Sequence, residues 1–283
     1  MRVGIVGLPQ VGKTTIFNLL TQGHADTSSW GGGRGEAHIG IARVPDKRLE
    51  KLAEVFNPKK VTHATVEYVD LPGLARGEGR AALDGQGKEM ATYLNNLKNV
   101  DALVHVVRGF EDPNLPHTEG SIDVLRDISL FELEMIFSDL ATVEKRLERL
   151  SKDLKKSKST ELEMENALLG RFKEALEAER PLRDLDLTAD ETRRTKGFTF
   201  LSAKPILLLV NLGDEDAGKI STVVETFGLS AYEAKRNVGI TAVCGKIEAE
   251  IVVNTDKEPE SFTEAEFKEE YARRNEPRQQ NRD

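Results

Sequence analysis

Short apolar runs alternate with amphipathic stretches along most of the chain, and this pattern predicts alternating strands and helices. The apolar positions predict strands at residues 2–6, 65–70, 102–107, 206–211 and 239–246. They predict helices at residues 15–20, 89–96 and 230–235, with an irregular stretch between the first helix and the second strand. Strands that alternate with helices are typical of a mostly parallel α/β sheet, which is the fold class that we predict.

A different pattern interrupts this alternation between residues 128 and 180. Apolar side chains recur there in steps of three and four, which indicates a seven-residue repeat along long helices. The first helix carries Leu133, Ile136, Leu140, Val143, Leu147, Leu150 and Leu154, and the returning helix carries Leu162, Leu169, Phe172 and Leu176. Because the lysine-rich turn KDLKKSKST separates the two sets, we predict an antiparallel α-helical hairpin inserted into the α/β domain.

The lysines of this turn allow two interpretations. Lys152, Lys155, Lys156 and Lys158 could contact RNA phosphates or acidic partners, or they could only keep the tip of the hairpin solvated.

Composition narrows the class of protein. The 283-residue chain has a formal net charge of −8, which argues against coating nucleic acid by bulk electrostatics. Cys244 is its only cysteine, so an intramolecular disulfide is not possible. The apolar run at residues 206–210 is too short to cross a bilayer, and Met1 leads directly into a predicted strand, which leaves no room for a signal peptide. We therefore expect a cytoplasmic monomer that does not contact a membrane.

The turn after the first predicted strand has the spacing G-x-x-x-x-G-K-T, from Gly7 to Thr14. Glycines let backbone N–H groups turn inward as a nest for anionic oxygens, and the next helix directs its positive end to the same place. Lys13 would lie between the outer phosphates, and the Thr14 hydroxyl would complete a Mg²⁺ shell. The sequence therefore predicts a triphosphate site, and the remaining residues expected to contact the nucleotide there are Pro9, Gln10, Val11, Gly12 and Thr15.

The second predicted strand ends in the motif D-x-x-G, from Asp70 to Gly73. After a phosphate loop, such a motif directs its aspartate toward Mg²⁺ and the N–H group of its glycine toward the γ-phosphate. The glycine-rich run at residues 76–89 that follows is typical of a switch segment.

A third motif, Asn211-Leu212-Gly213-Asp214, follows the predicted strand at residues 206–211. A turn that reads guanine is usually Asn-Lys-x-Asp, whose carboxylate accepts hydrogen bonds from the base. Because Leu212 replaces the lysine, an ordinary polar turn is the alternative. At the end of the last predicted strand, Cys244, Gly245 and Lys246 are expected to contact the base.

These motifs together resemble the YchF (Ola-type) branch of the Obg-related P-loop GTPases. The segments that carry the resemblance extend from residue 1 to about residue 250, and they include GIVGLPQVGKTTIFNLLT, VPDKRLEKLAEVFNPKK, VEYVDLPGLARGEG, NVDALVHVVRGFED and CGKIEAEI. The resemblance implies a G domain interrupted by a helical hairpin, hydrolysis of GTP or ATP with Mg²⁺, and association with ribosomes or RNA, with protein partners as a further possibility.

The resemblance also implies roles for single residues. Lys13 and Gly73 would act in catalysis, and Leu74 would stand where Ras-like enzymes have the glutamine that orients water, so slow turnover is expected. The family usually has Asn-x-x-Glu in its base loop, which fits tolerance for adenine, whereas Asp214 favours guanine; the choice between ATP and GTP stays open. No threonine stands at the position of the first-switch threonine, near Arg34.

We expect four segments: a first part of the G domain at 1–127, the hairpin insertion at 128–196, a second part of the G domain at 197–251, and a polar tail at 252–283 where the family has a β-rich TGS domain. Two classes of function fit. A slow NTPase switch is favoured by Lys13, Thr14 and Asp70, and a nucleotide-responsive binding module with negligible turnover is favoured by Leu74.

Overall fold

The computed structural model describes residues 1–21, 38–71, 87–156 and 159–256, and a six-stranded sheet forms the centre of this part of the chain. Its strands lie in the order β2-β3-β1-β4-β5-β6, and all neighbours are parallel except β2, which runs antiparallel to β3. The strands are β1 (Arg2–Val6), β2 (His38–Arg43), β3 (Thr65–Asp70), β4 (Ala102–Arg108), β5 (Ile206–Asn211) and β6 (Val238–Val243). The predicted mostly parallel α/β sheet is confirmed.

Helices connect these strands. In the described residues they are α1 (Lys13–Thr21), α2 (Lys47–Phe56), α3 (Gly87–Lys98), α4 (Val124–Lys156), α5 (Thr160–Glu177), α6 (Ala189–Thr195), α7 (Val223–Thr226), α8 (Ser230–Glu233) and α9 (Gly245–Asp256). Short 3-10 helices cover Leu182–Asp184, Lys196–Phe198 and Asp214–Thr222. None of the helices described here is long and apolar enough to cross a membrane.

The two faces of the sheet pack in two separate apolar clusters. Because side chains alternate along a strand, Val3 and Ile5 of β1 join one cluster with Ile16 and Phe17 of α1. Val6 joins the larger cluster on the other face, to which β4, β5 and the beginning of α4 contribute. Burial on both faces explains why the central strands read as continuous apolar runs.

The order of the strands determines where a ligand can bind. β1 lies between β3 and β4, so the chain leaves β1 at the point where successive strands are added on opposite sides. In an open parallel sheet, such a point leaves a crevice at the carboxyl ends of the strands. The loop from Gly7 to Gly12 lies at this crevice.

The prediction of an irregular stretch after α1 was wrong, because the described part of that stretch contains β2 and α2. β2 is an edge strand whose Ile39 and Ile41 are exposed, and α2 has no buried residue. Because the apolar side chains of both elements are largely exposed, their patterns resemble a polar connection. α2 is defined instead by its ends, where Asp46 accepts a hydrogen bond from the N–H of Arg48 and Asn57 adopts a left-handed conformation.

The last predicted strand was also too long. β6 ends at Val243, and Gly245 begins α9, which extends to Asp256 and so passes the boundary predicted after residue 251. Only Cys244 separates the two elements, and the prediction placed Gly245 and Lys246, the first residues of α9, in the strand. The other residues of the predicted tail lie outside the described part of the chain.

The predicted helical hairpin is confirmed, and α4 begins four residues earlier than expected. Ile136, Val143 and Leu150 of α4 are fully buried in one cluster with Leu169 and Phe172 of α5. Leu133 and Leu154 are absent from this cluster, and Leu168 joins it without having been predicted.

A buried carboxylate attaches the hairpin to the sheet. Asp139 of α4 accepts hydrogen bonds from the backbone N–H groups of Leu201 and Ser202, at 2.9 and 2.7 Å, and from the Ser202 hydroxyl. Burial raises the pKa of Asp139, and the three hydrogen bonds oppose that rise. Because Leu201 and Ser202 lie just before β5, this contact connects α4 to the strand that carries Asn211.

Candidate functional site

The turn between β1 and α1 has a backbone that side chains would disrupt. Gly7 and Gly12 have φ angles of 145° and 96°, and Gln10 between them also has a positive φ, of 62°. A Cβ atom on Gly7 would lie 2.3 Å from the carbonyl oxygen of Val106, and one on Gly12 would lie 2.4 Å from Nδ2 of Asn211. Both positions therefore require glycine.

The side chains of this turn divide between core and surface. Val11 is buried in the apolar cluster under α1, so its side chain holds the loop in place and only its backbone is available to a ligand. Pro9 is half-buried and Gln10 is exposed, and Thr15 lies half-buried in the first turn of α1. The result is a rigid concave backbone at the amino end of a helix, which is an arrangement suited to anionic oxygens.

Lys13 is a buried cation in the middle of this turn. Its side chain is 7% exposed, and its ammonium donates a hydrogen bond to the carbonyl oxygen of Leu8 at 2.7 Å. Burial lowers the pKa of Lys13 to about 8, and the nearby charge of Asp70 limits the decrease. A buried ammonium with one neutral partner is a favourable place for a polyanion, because the anion would replace the lost hydration.

Thr14 and Asp70, which were predicted to hold a metal ion, lie in contact. The Thr14 hydroxyl donates a hydrogen bond to Oδ2 of Asp70 at 2.8 Å. Oδ1 of Asp70 is buried and has no hydrogen-bond partner in the described part of the chain. His38 places Nδ1 3.8 Å from Oδ2 of the same carboxylate.

These two residues fit Mg²⁺. A buried carboxylate oxygen without a partner, beside a hydroxyl, offers the hard oxygen ligands that Mg²⁺ prefers. No group of three or more His, Cys, Asp or Glu side chains that could hold a metal ion was found in the described ranges. The ion would therefore take its remaining ligands from phosphates and water, as is usual for Mg²⁺ in nucleotide sites.

Asn211 connects the phosphate turn to the loop after β6. Its Nδ2 donates to the carbonyl oxygen of Val11 at 3.0 Å, and its Oδ1 accepts from the N–H of Gly245 at 3.0 Å. The side chain is buried, so these contacts hold the two loops at a fixed distance. Leu212, which follows it, is 2% exposed and packs in the larger apolar cluster. Its side chain is directed away from the crevice, so only its backbone could contact a base.

An ion pair joins the loops after β5 and β6 at the surface. Lys246 donates to Oδ2 of Asp214 at 2.8 Å, and this hydrogen bond raises the pKa of Lys246. Cys244 is buried below the pair, with Sγ 3.5 Å from the carbonyl oxygen of Gly213, and burial raises the pKa of its thiol. Gly245 begins α9 beside Ile16 of α1.

The structure therefore brings together residues from five separate segments: the phosphate turn, the end of β3, the beginning of β2, the end of β5 and the loop after β6. The predicted Gly73 and Leu74 lie outside the described residues. From the sequence, His38 is only a weak candidate for a group that positions water, in the expected first switch. Its position opposite Asp70 follows from the antiparallel pairing of β2 with β3.

The chain is similar to several known proteins. A family model described as a 50S ribosome-binding GTPase matches residues 2–137. A protein of Bacillus subtilis named ribosome-binding ATPase YchF is 37% identical over 264 residues, which cover 93% of this chain and 70% of that protein. The protein with the same name in Escherichia coli O157:H7 is 32% identical over 92% of this chain and 69% of its own length.

A solved structure is also similar. The YchF GTPase of Schizosaccharomyces pombe superposes with a TM-score of 0.64 and 26% sequence identity, over 96% of this chain and 71% of that chain.

Proposed function

Because the chain belongs to the YchF family of P-loop NTPases, we propose that it binds a nucleoside triphosphate with Mg²⁺ and hydrolyses it slowly as a ribosome-associated switch. The observation that carries this proposal is the 2.8 Å contact of the Thr14 hydroxyl with Asp70, next to the buried ammonium of Lys13. An ammonium, a hydroxyl and a carboxylate from two separate segments converge beside a nest of backbone N–H groups, and these are the groups that bind phosphates and Mg²⁺ in P-loop NTPases.

Each group has a task in the proposed reaction. The N–H groups of the turn bind phosphate oxygens, and the Lys13 ammonium exchanges the Leu8 carbonyl for the outer phosphates. Thr14 and Asp70 would hold Mg²⁺, which supplies positive charge to the β- and γ-phosphates. Hydrolysis forms a bond from a water oxygen to the γ-phosphorus and breaks the bond to the bridging oxygen.

For the base, we propose that ATP binds at least as tightly as GTP. Asp214 shares its carboxylate with Lys246 at 2.8 Å, so selecting guanine would require breaking or sharing that ion pair. The Leu212 side chain is buried in the core and cannot pack on a base. The relatives from B. subtilis and E. coli O157:H7 are named as ATPases.

A paired titration tests this choice. Fluorescent ATP and GTP analogues are added with Mg²⁺ to the wild type and to Asp214→Ala. We expect ATP to bind at least as tightly as GTP in both proteins, with the ATP affinity changed less than twofold by the substitution. Tighter GTP binding that is lost in Asp214→Ala would instead assign the protein as a guanine-specific NTPase.

Turnover distinguishes the switch from a binding module. Phosphate release is measured under multiple-turnover conditions, with and without ribosomes, and Lys13→Ala serves as the control. Measurable release by the wild type that Lys13→Ala abolishes supports the proposal. Nucleotide binding without release in either condition would mean that hydrolysis is not part of the function.

A further inference from the structure

A cleft on the hairpin contains cations that the nucleotide site does not use. It has a volume of about 450 Å³ and lies where the end of α3 and the 3-10 helix Lys196–Phe198 meet the outer side of α4. Its lining residues are Lys98, Ala141, Thr142, Lys145, Arg146, Arg149 and Phe198. Four of these are cationic and none is a carboxylate, although the whole chain has a net charge of −8.

Three of the four cations have no partner in the described part of the chain. Arg146 donates to both carboxylate oxygens of Glu165 at 2.8 Å, so that its charge is compensated. Lys98, Lys145 and Arg149 make no ion pair with any described residue. Among the nearby acidic residues of α4, Glu144 pairs with Lys173, Glu148 pairs with Lys152, and the charge of Asp153 acts on Arg146. The cleft therefore has an excess of positive charge, since Lys98, Lys145 and Arg149 are not matched by an ion pair with any described carboxylate.

The cationic surface continues beyond the cleft. Lys145, Arg149, Lys152 and Lys156 follow one another on α4 in steps of four, three and four residues, so they share one face of the helix. Val143 and Leu150, which pack against α5, lie on the opposite face. The four cations extend over about 16 Å, with neighbours about 5 Å apart along the axis. A row of evenly spaced cations fits a chain of phosphates better than it fits a single small anion.

An aromatic ring lies at the end of this row. Phe198 lines the cleft and is half-exposed, and its ring stacks on that of Phe200, with centroids 5.1 Å apart and planes 4° apart. Phe200 is buried in the cluster of the hairpin, so the ring of Phe198 is held in a fixed orientation. A fixed aromatic ring beside a cationic row is the combination that binds unpaired bases together with their backbone.

From these observations we propose that the cleft and the face of α4 that continues it bind an unpaired segment of RNA. Phosphates lie along Lys145, Arg149 and Lys156, and a phosphate at Lys152 would share that lysine with Glu148. Lys98 contacts the RNA backbone in the cleft, and a base stacks on Phe198. This inference rests on the ribosome association proposed above, and it identifies the surface through which RNA would be contacted.

The test measures fluorescence anisotropy of a labelled single-stranded RNA of twelve nucleotides over a series of salt concentrations. The full chain is used with the variants Lys145→Ala/Arg149→Ala, Phe198→Leu and Phe198→Tyr. The matched control is Lys59→Ala/Lys60→Ala, which removes two exposed lysines next to α2 and so changes the net charge equally.

We expect Lys145→Ala/Arg149→Ala to weaken binding at least tenfold and to reduce the slope of log K against log salt by about 1.4, since each phosphate contact on a single strand contributes about 0.7. The control should stay within twofold of the wild type. Phe198→Leu should weaken binding at least fivefold with an unchanged slope, because stacking releases no counterions, and Phe198→Tyr should restore it.

Several results would overturn the inference: no RNA binding by the wild type at low salt, equal losses in the cleft and control variants, or duplex RNA bound as tightly as the single strand and unaffected by Phe198→Leu. Sedimentation with ribosomes separates this inference from the proposed function. If the wild type and Lys145→Ala/Arg149→Ala sediment equally, the cleft is not the contact, whereas the ribosome association stands. If the wild type does not sediment, the proposed association itself fails.

Discussion

The buried charge of Lys13, which we expect to bind phosphates, should reduce the stability of the protein without nucleotide. Burial lowers its pKa from 10.5 to about 8, and the ammonium has one carbonyl oxygen, that of Leu8, as its hydrogen-bond acceptor. A decrease of that size corresponds to about 3 kcal/mol by which folding disfavours the charged form. We therefore expect Lys13→Met, which keeps the length of the side chain and removes its charge, to remove this penalty.

The sign of the effect depends on pH. The folded-state pKa lies below the unfolded-state value, so the wild type carries the full penalty below pH 8 and loses it as the pH rises toward 10.5. Loss of the hydrogen bond to Leu8 offsets part of the gain, by about 1–2 kcal/mol. Lys13→Met should accordingly be about 1–2 kcal/mol more stable than the wild type at pH 7. Its advantage should decrease by about 2.5 kcal/mol between pH 7 and pH 10.

Urea unfolding followed by far-UV circular dichroism, without nucleotide, measures both quantities at pH 7, 8, 9 and 10. Lys51→Met is the control, because Lys51 is exposed on α2 and its loss tests the removal of any lysine. Nucleotide titrations of the same preparations should show that Lys13→Met no longer binds ATP or GTP. A difference in stability between Lys13→Met and the wild type that stays constant from pH 7 to pH 10 would refute the assignment of a buried charged lysine.

Two further predictions concern His105, a buried histidine of β4 that packs on the ring of Phe131, and Asn211. Burial, together with the charges of Lys13 and Arg183, lowers the pKa of His105 to about 3. The folded protein therefore favours the neutral imidazole, and the free energy of unfolding should fall as the pH decreases from 6.5 toward 3. Between pH 7.5 and pH 5 the free energy of unfolding of the wild type should fall by about 2 kcal/mol. Urea unfolding of His105→Leu at the same two pH values should show no such decrease. An equal decrease in the variant would contradict the reasoning. Asn211→Ala leaves the Val11 carbonyl and the Gly245 N–H without their buried partner, so it should reduce the free energy of unfolding by about 2–5 kcal/mol and weaken nucleotide binding at least tenfold. Nucleotide titration and urea unfolding check this, and unchanged nucleotide affinity would show that the link between the two loops does not shape the site.

The sequence by itself determined the elements whose signals are local. The glycine and lysine spacing from Gly7 to Thr14 predicted the turn, because Gly7 and Gly12 can adopt the positive φ angles that it needs. The continuous apolar runs of β1, β4 and β5 predicted strands buried on both faces. The seven-residue repeat predicted the hairpin, because that spacing keeps one face of a helix against its partner.

Only the tertiary structure decided which polar groups meet. Asn211 was predicted to contact a base, and only the parallel arrangement of β1, β5 and β6 brings its amide between Val11 and Gly245. Asp214 and Lys246 are 32 residues apart and pair because the loops after β5 and β6 meet at the carboxyl edge of the sheet. Leu212 is one residue from Asn211, but the alternation of side chains at the end of β5 directs it into the core.

The charge of the cleft on α4 could not be predicted from the sequence either. The sequence contains these lysines and arginines among many other charged residues, and it does not show which carboxylates pair with them. The answer depends on the packing of α4 against α5, which engages Glu144 with Lys173 and Glu165 with Arg146, and leaves Lys145 and Arg149 beside Phe198. The spacing of residues along the sequence determines the helices and strands of this protein. The packing of distant segments determines which charges are compensated and which hydrogen bonds form at its sites.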